Sequence, residues 1–126
     1  MQIIAHRGAS KLAPENTLKA MEIAIALGVG AIELDVQWAD GELWVFHDRR
    51  LERCTDGHGV LTEQSRDYLA SLDAGDGERI PTLWQVMSLI AGRCELHIEL
   101  KGAHPTMPPD ERNAEAQRIL LNKYRA

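Results

Sequence analysis

Two acidic side chains, Glu33 and Asp35, stand two apart in the alternating run Ala31-Ile32-Glu33-Leu34-Asp35-Val36-Gln37. In a strand this spacing sends both carboxylates to one face with Gln37, and Ile32, Leu34 and Val36 to the other. A second alternation, Glu95-Leu96-His97-Ile98-Glu99-Leu100-Lys101, does the same. Leu96, Ile98 and Leu100 point one way, while Glu95, His97, Glu99 and Lys101 point the other. Between the two runs, Asp40-Gly41 leads straight into Leu43-Trp44-Val45-Phe46-His47-Asp48. A two-residue Asp-Gly connection predicts a hairpin, because parallel strands need a far longer crossover. A turn centred there pairs residues whose numbers sum to about 81. That sets His47 opposite Leu34, between Glu33 and Asp35, so the imidazole returns beside the acids. Inward carboxylates at the C-terminal ends of strands are the side chains found at the catalytic mouth of a (β/α)₈ barrel. Taken singly, each group has a plainer reading. Glu33 and Asp35 would be the solvent face of an antiparallel strand, and His47 a half-buried cross-strand partner. His6 would cap a loop, and Glu99 and Lys101 would end an exposed strand.

The elements that must position these groups follow from the pattern around them. Gln2 to Ala5 reads as a short buried strand leading into His6-Arg7-Gly8-Ala9. Pro14-Glu15-Asn16-Thr17 opens a helix with Asn16 or Thr17 as N-cap. Its apolar stripe is Leu18, Met21, Ala24, Ile25 and Leu27, and Gly28 ends it. Residues 49–79 are irregular, with one helical stretch near 65–72. Thr82 and Gln85 form a capping box for a helix that runs to Ile90 or Ala91 and stops at Gly92. After the strand of Glu95 to Lys101, Pro105, Pro108 and Pro109 mark a loop, and Asp110 caps a last helix reaching Tyr124. Strand and helix alternate throughout, which predicts a parallel sheet covered by helices. Trp38 and Trp44 flank the hairpin turn and are read as packing residues.

The chain has 126 residues, with 14 Lys+Arg against 19 Asp+Glu and a net charge of −5. That length predicts one domain over residues 1–126, with 49–79 as a small irregular insertion within it. The acidic balance speaks against a nucleic-acid footprint, which needs clustered positive charge. No apolar run approaches the ~18 residues of a membrane span. The first strand-like run follows Met1 directly, leaving no room for a signal peptide, so a cytoplasmic protein is expected. Cys54 and Cys94 lack metal-binding or CxxC spacing and are expected to be reduced thiols.

Seven short motifs occur in order: His6-Arg7-Gly8-Ala9, Pro14-Glu15-Asn16-Thr17, Glu33-Leu34-Asp35-Val36, His47-Asp48, Leu72-Asp73-Ala74-Gly75, Ile80-Pro81-Thr82-Leu83 and Ile98-Glu99-Leu100-Lys101. Each alone is weak; together, at this spacing, they resemble the N-terminal half of a glycerophosphodiester phosphodiesterase. The resemblance covers residues 3–101. It implies a TIM barrel of the phospholipase-C-like phosphodiesterase type that hydrolyses glycerophosphodiesters to sn-glycerol 3-phosphate and an alcohol. By the same resemblance His6 and His47 are the acid–base pair, and Glu33, Asp35 and Glu99 hold one divalent cation. Arg7 matches the phosphate-binding arginine, and Lys101 is expected near the same phosphate. Physical chemistry agrees with these roles. A cation and a fixed guanidinium stabilise charge gathering on phosphoryl oxygens, and three hard oxygens favour Mg²⁺ or Ca²⁺ over zinc. Imidazoles titrate near neutral pH, so two of them can hold opposite protonation states. Asn16 and Thr17 are read as helix caps rather than substrate contacts.

A whole barrel of this kind needs ~250 residues and eight strands. About three barrel strands plus a hairpin strand are expected here, leaving outer edges near residues 2–5 and 95–100 unpaired. Two functions follow. One is a metal-dependent phosphoric diester hydrolase acting on a small-molecule glycerophosphodiester, or on a related lipid phosphodiester. The other is a catalytically weak or inactive barrel fragment that self-associates, with a homodimer as the simplest way to complete the barrel.

Overall fold

The computed structural model describes residues 3–101. Four strands form one sheet: β1 (Ile4–His6), β2 (Ala31–Ala39), β3 (Glu42–Val45) and β4 (Glu95–Leu100). Helices α1 (Leu18–Ala26), α2 (Arg66–Ser71) and α3 (Leu83–Ile90) lie between them, with a 3₁₀ turn at Leu61–Glu63. The Pro105–Pro109 loop and the last helix expected from Asp110 fall outside the described residues.

Strand β2 is the centre of the sheet. Parallel β1 pairs its first part, His6 standing against Glu33, and parallel β4 runs beside it from Ala31↔Glu95 to Val36↔Leu100. Antiparallel β3 pairs its far end, from Val36↔Val45 to Ala39↔Glu42. The Glu33 and Asp35 carbonyls accept from Arg7 and Phe46, whereas the Val36 carbonyl accepts from Lys101. Carbonyls two apart on a strand face the same edge. Hence β1 and β3 lie end to end along one edge of β2, and β4 takes the other. A strand–helix–strand connection on each side gives the α/β arrangement expected from the alternation.

The expected hairpin forms in the expected register, because Asp40 and Gly41 both adopt positive φ, 47° and 78°. A tight primed turn demands this, and Asp-Gly supplies it at little steric cost. The ladder stops at Val45, however, with one further bond from Phe46 N–H to the Asp35 carbonyl. His47 therefore lies beyond the strand and is not the cross-strand partner of Leu34 that extrapolation predicts.

Thr17, not Asn16, caps α1: its side chain accepts from the Ala20 N–H. Thr82 and Gln85 form the capping box of α3. Met21 and Ala24 of α1 pack with Leu83, Val86 and Ile90 of α3 over Ile32, Leu34 and Val36. Each large aliphatic side chain so buried contributes about 1.5–3 kcal/mol. Leu27 is exposed and takes no part in the α1 stripe. A second cluster joins Trp44 and Phe46 to Leu51, Leu61, Leu69, Leu72 and Ile80, so residues 49–79 fold over their own apolar centre. Trp44 is buried, and its indole N–H donates to the Ala39 carbonyl at 3.0 Å, in keeping with a packing role.

One expectation fails at the first strand. Ile3 and Ile4 are not buried but 67% and 49% exposed. Among the described residues β1 pairs only with β2, so its outer edge carries no covering neighbour.

Candidate active site

Strand β2 carries the acids. Its polar face is less open than alternation alone suggests: Asp35 is 1% exposed and Gln37 is also buried. Gln37 is satisfied by donating to the Phe46 and Asp48 carbonyls at 2.9 and 2.7 Å, which fixes the chain leading into His47. Oxygens of Glu33, Asp35 and Glu99 lie within 4.8 Å of one another. The pairing Asp35↔Glu99 across β2 and β4 brings the third carboxylate to the other two. Burial, then repulsion from Asp35, raises the Glu33 pKa above its usual value. Its Oε1 is buried without a hydrogen-bond partner. Three crowded carboxylates, one with an orphaned buried oxygen, fit a divalent cation such as Mg²⁺ or Ca²⁺.

His6 ends β1 with Nε2 2.8 Å from Glu33 Oε2. Arg7 and Gly8 follow, both at positive φ. A Cβ on Gly8 would lie 2.9 Å from the Ala20 backbone, so only glycine lets this turn dock on α1. The Ala9 N–H donates to the Ala20 carbonyl and the Asn16 N–H to the Arg7 carbonyl, locking the turn from both ends. Arg7 extends to Glu15, Nη1 to Oε2 at 3.1 Å, and to Asp35, Nε to Oδ2 at 3.5 Å. The latter falls short of a hydrogen bond, leaving Nε buried and unpartnered.

Asn16, expected only as a cap, reaches the site instead: its Nδ2 donates to Asp35 Oδ2 at 3.3 Å. Its backbone has φ 58°, a conformation Asn tolerates better than most residues.

His47 Nδ1 lies 2.9 Å from Asp48 Oδ1. Arg53 grips the same carboxylate through Nε and Nη2 and lowers the Asp48 pKa to about 2. Arg53 carries no signal in the sequence, and Glu15 enters only as part of the Pro14-Glu15-Asn16-Thr17 motif. Only the neighbouring His47-Asp48 pair hinted at a carboxylate here. Lys101 Nζ pairs with Glu99 Oε1 at 3.2 Å. His97 pairs with Glu95 at 3.2 Å. Cys54 and Cys94 are free thiols whose pKa burial pushes up, which makes them poor nucleophiles.

A mixed, mostly parallel α/β sheet with histidine at one strand end, three clustered carboxylates and a fixed arginine defines a candidate phosphoryl-handling site. The sequence model of the Glycerophosphoryl diester phosphodiesterase family matches residues 6–125, and the chain belongs to that family. It is 45% identical over 108 residues to the glycerophosphodiester phosphodiesterase of Caldanaerobacter subterraneus subsp. tengcongensis, covering 79% of this chain and 44% of that protein. The structure of an Oleispira antarctica phosphodiesterase in complex with the product sn-glycerol-3-phosphate matches with a TM-score of 0.87 and 35% identity, over 98% of this chain and 53% of that one. A glycerophosphodiester phosphodiesterase from Agrobacterium tumefaciens matches with a TM-score of 0.79 and 34% identity, over 94% and 53%. The chain thus spans about half the length of these relatives. No described helix is long and apolar enough to cross a membrane.

Proposed function

We propose that this chain carries the reacting half of a phosphodiesterase site. It would bind glycerophosphodiesters and cleave them to sn-glycerol 3-phosphate and an alcohol. The observation that carries the reading is the convergence of Glu33, Asp35 and Glu99 within 4.8 Å, beside His6 and Arg7. Glu33, Asp35 and Glu99 would hold one Mg²⁺ or Ca²⁺, which supplies positive charge to the phosphoryl oxygens when bound. Glu15 and Asp35 set the Arg7 guanidinium beside the acidic cluster, where it would donate to a phosphate oxygen. Lys101, at the end of β4, adds a second positive group at the same rim.

His6 acts as general base and His47 as general acid. The base takes a proton from the attacking water, the P–O bond to the alcohol breaks, and the acid protonates the departing oxygen. Asp48 accepts from His47 Nδ1, which leaves Nε2 as the ring atom that exchanges the proton. The sheet would be the opening part of a TIM barrel, with β1, β2 and β4 as neighbouring barrel strands and residues 49–79 as an insertion after the hairpin. Its two outer edges would be covered by further barrel strands or by a second copy of the chain. Light scattering at about twice the 14.1 kDa chain mass would support the second copy. A cytoplasmic location is part of the same reading.

The test is glycerophosphocholine hydrolysis with and without divalent metal. Turnover that needs Mg²⁺ or Ca²⁺ and disappears in Asp35→Asn supports the proposal. Metal-independent turnover, or turnover kept by Asp35→Asn, overturns the carboxylate site.

A further inference from the structure

We propose that Arg53 is a positioning residue for this site, resting on the reading above. Its guanidinium ties the carboxylate that orients His47 to the carboxylate that holds Arg7. The contacts form one continuous chain. Arg53 Nε and Nη2 donate to Asp48 Oδ2 and Oδ1 at 2.7 and 2.9 Å, and Asp48 Oδ1 meets His47 Nδ1. On its other edge, Arg53 Nη1 and Nη2 donate to Glu15 Oε1 and Oε2, both at 3.0 Å. Glu15 Oε2 accepts from Arg7 Nη1 at 3.1 Å. One planar group thus makes two forked grips on two carboxylates, and each carboxylate holds a residue of the proposed chemistry.

Burial does not explain this placement. The Arg53 side chain is 53% exposed, and ion pairs in that setting contribute little to stability. Geometry does explain it. A guanidinium presents its donors in a fixed fork that an ammonium cannot reproduce. Arg53 also enters from residues 49–79, whereas Glu15 precedes α1 and Asp48 follows β3. It therefore sets the distance between two loops that no strand ladder connects. A carboxylate only accepts, so Asp48 keeps a proton on His47 Nδ1 in both the charged and the neutral ring. The imidazolium carries the transferable proton on Nε2, and its loss leaves the Nδ1–H tautomer.

The experiment compares Arg53→Met and Arg53→Lys with Arg50→Met in the 126-residue chain. Arg50 is the control, since it pairs with the exposed Glu52. Both Arg53 variants are expected to lose on the order of 10–100-fold in kcat/KM on glycerophosphocholine, the scale of lost orienting contacts. Lower kcat would come from His47 and higher KM from Arg7. Arg50→Met should match the wild type. With the ring neutral, nitrogen-15 NMR of His47 should show the Nδ1–H tautomer in the wild type and its loss in Arg53→Met, while circular dichroism shows the fold retained. A wild-type tautomer in folded Arg53→Met, or full activity in Arg53→Lys, would overturn the proposal. Should His47→Ala turn over at the wild-type rate, the acid assignment fails. The tautomer measurement still decides what Arg53 does.

Discussion

The two sides of the site are held by different means. Toward β1 and β3, Asp35 is 1% exposed and meets Arg7 and Asn16, and Arg7, Glu15, Arg53, Asp48 and His47 form a linked series. Toward β4, the Glu99 side chain is 59% exposed and, among the described residues, pairs with Lys101. Strand β2 has neighbours along both edges, whereas β4, among the described residues, pairs only with β2. Buried charges must be matched by neighbours, so their positions are over-determined. An exposed charge is positioned only by its backbone. A cation held by Glu33, Asp35 and Glu99 would therefore draw two ligands from a rigid strand and one from an adaptable edge.

The largest effect should come from the buried side. Asp35→Asn should abolish Ca²⁺ or Mg²⁺ binding in calorimetry. Asp35→Ala should also destabilise the fold by about 3–5 kcal/mol in urea melts, because Arg7 loses its buried counter-charge. His6→Ala and His47→Ala should each lower turnover on the order of 10²–10⁴-fold in steady-state assays. Arg7→Lys keeps the charge but loses the fork, and a charged hydrogen bond is worth ~1.5–3 kcal/mol, read here as weaker substrate binding.

Asp48 sharpens the contrast through pH. Its pKa lies near 2 in the fold against an ordinary 3.8, mainly through Arg53. Its contribution to stability is therefore complete above about pH 4 and lost as pH falls toward 2. Urea melts of Asp48→Asn should lack that acid-side decline. The smallest effect belongs to the open side. Glu99→Ala should change stability by no more than about 0.5 kcal/mol while weakening the metal, a split Asp35 cannot show.

Much of this was legible from local rules. The Asp40-Gly41 turn fixed the β2–β3 register, the Thr82/Gln85 box began α3, and period-two alternation located β2 and β4. The seven motifs named the family. What escaped depends on contacts distant in sequence. Nothing local marks Arg53, because its partner Glu15 is 38 residues away and the segment around it has no period to read. Asn16 looked like a cap because capping and reaching Asp35 use the same residue type. Alternation assigned Asp35 and Gln37 to a polar face, but burial there comes from Arg7, Asn16 and the chain after β3. The exposure of Ile3 and Ile4 depends on what lies beside β1, which their own apolar character does not report.

The left-handed turn at Arg7 and Gly8 has a thermodynamic consequence. A freely rotating arginine gives up about 2 kcal/mol of rotamer entropy when a ligand immobilises it. Here that ordering happens on folding: the backbone is wedged against Ala20, and Glu15 and Asp35 hold the guanidinium. An oxyanion arriving at this guanidinium meets a donor already still. At 1.4 kcal/mol per tenfold, the spared entropy is worth roughly 30-fold in affinity, with no added contact.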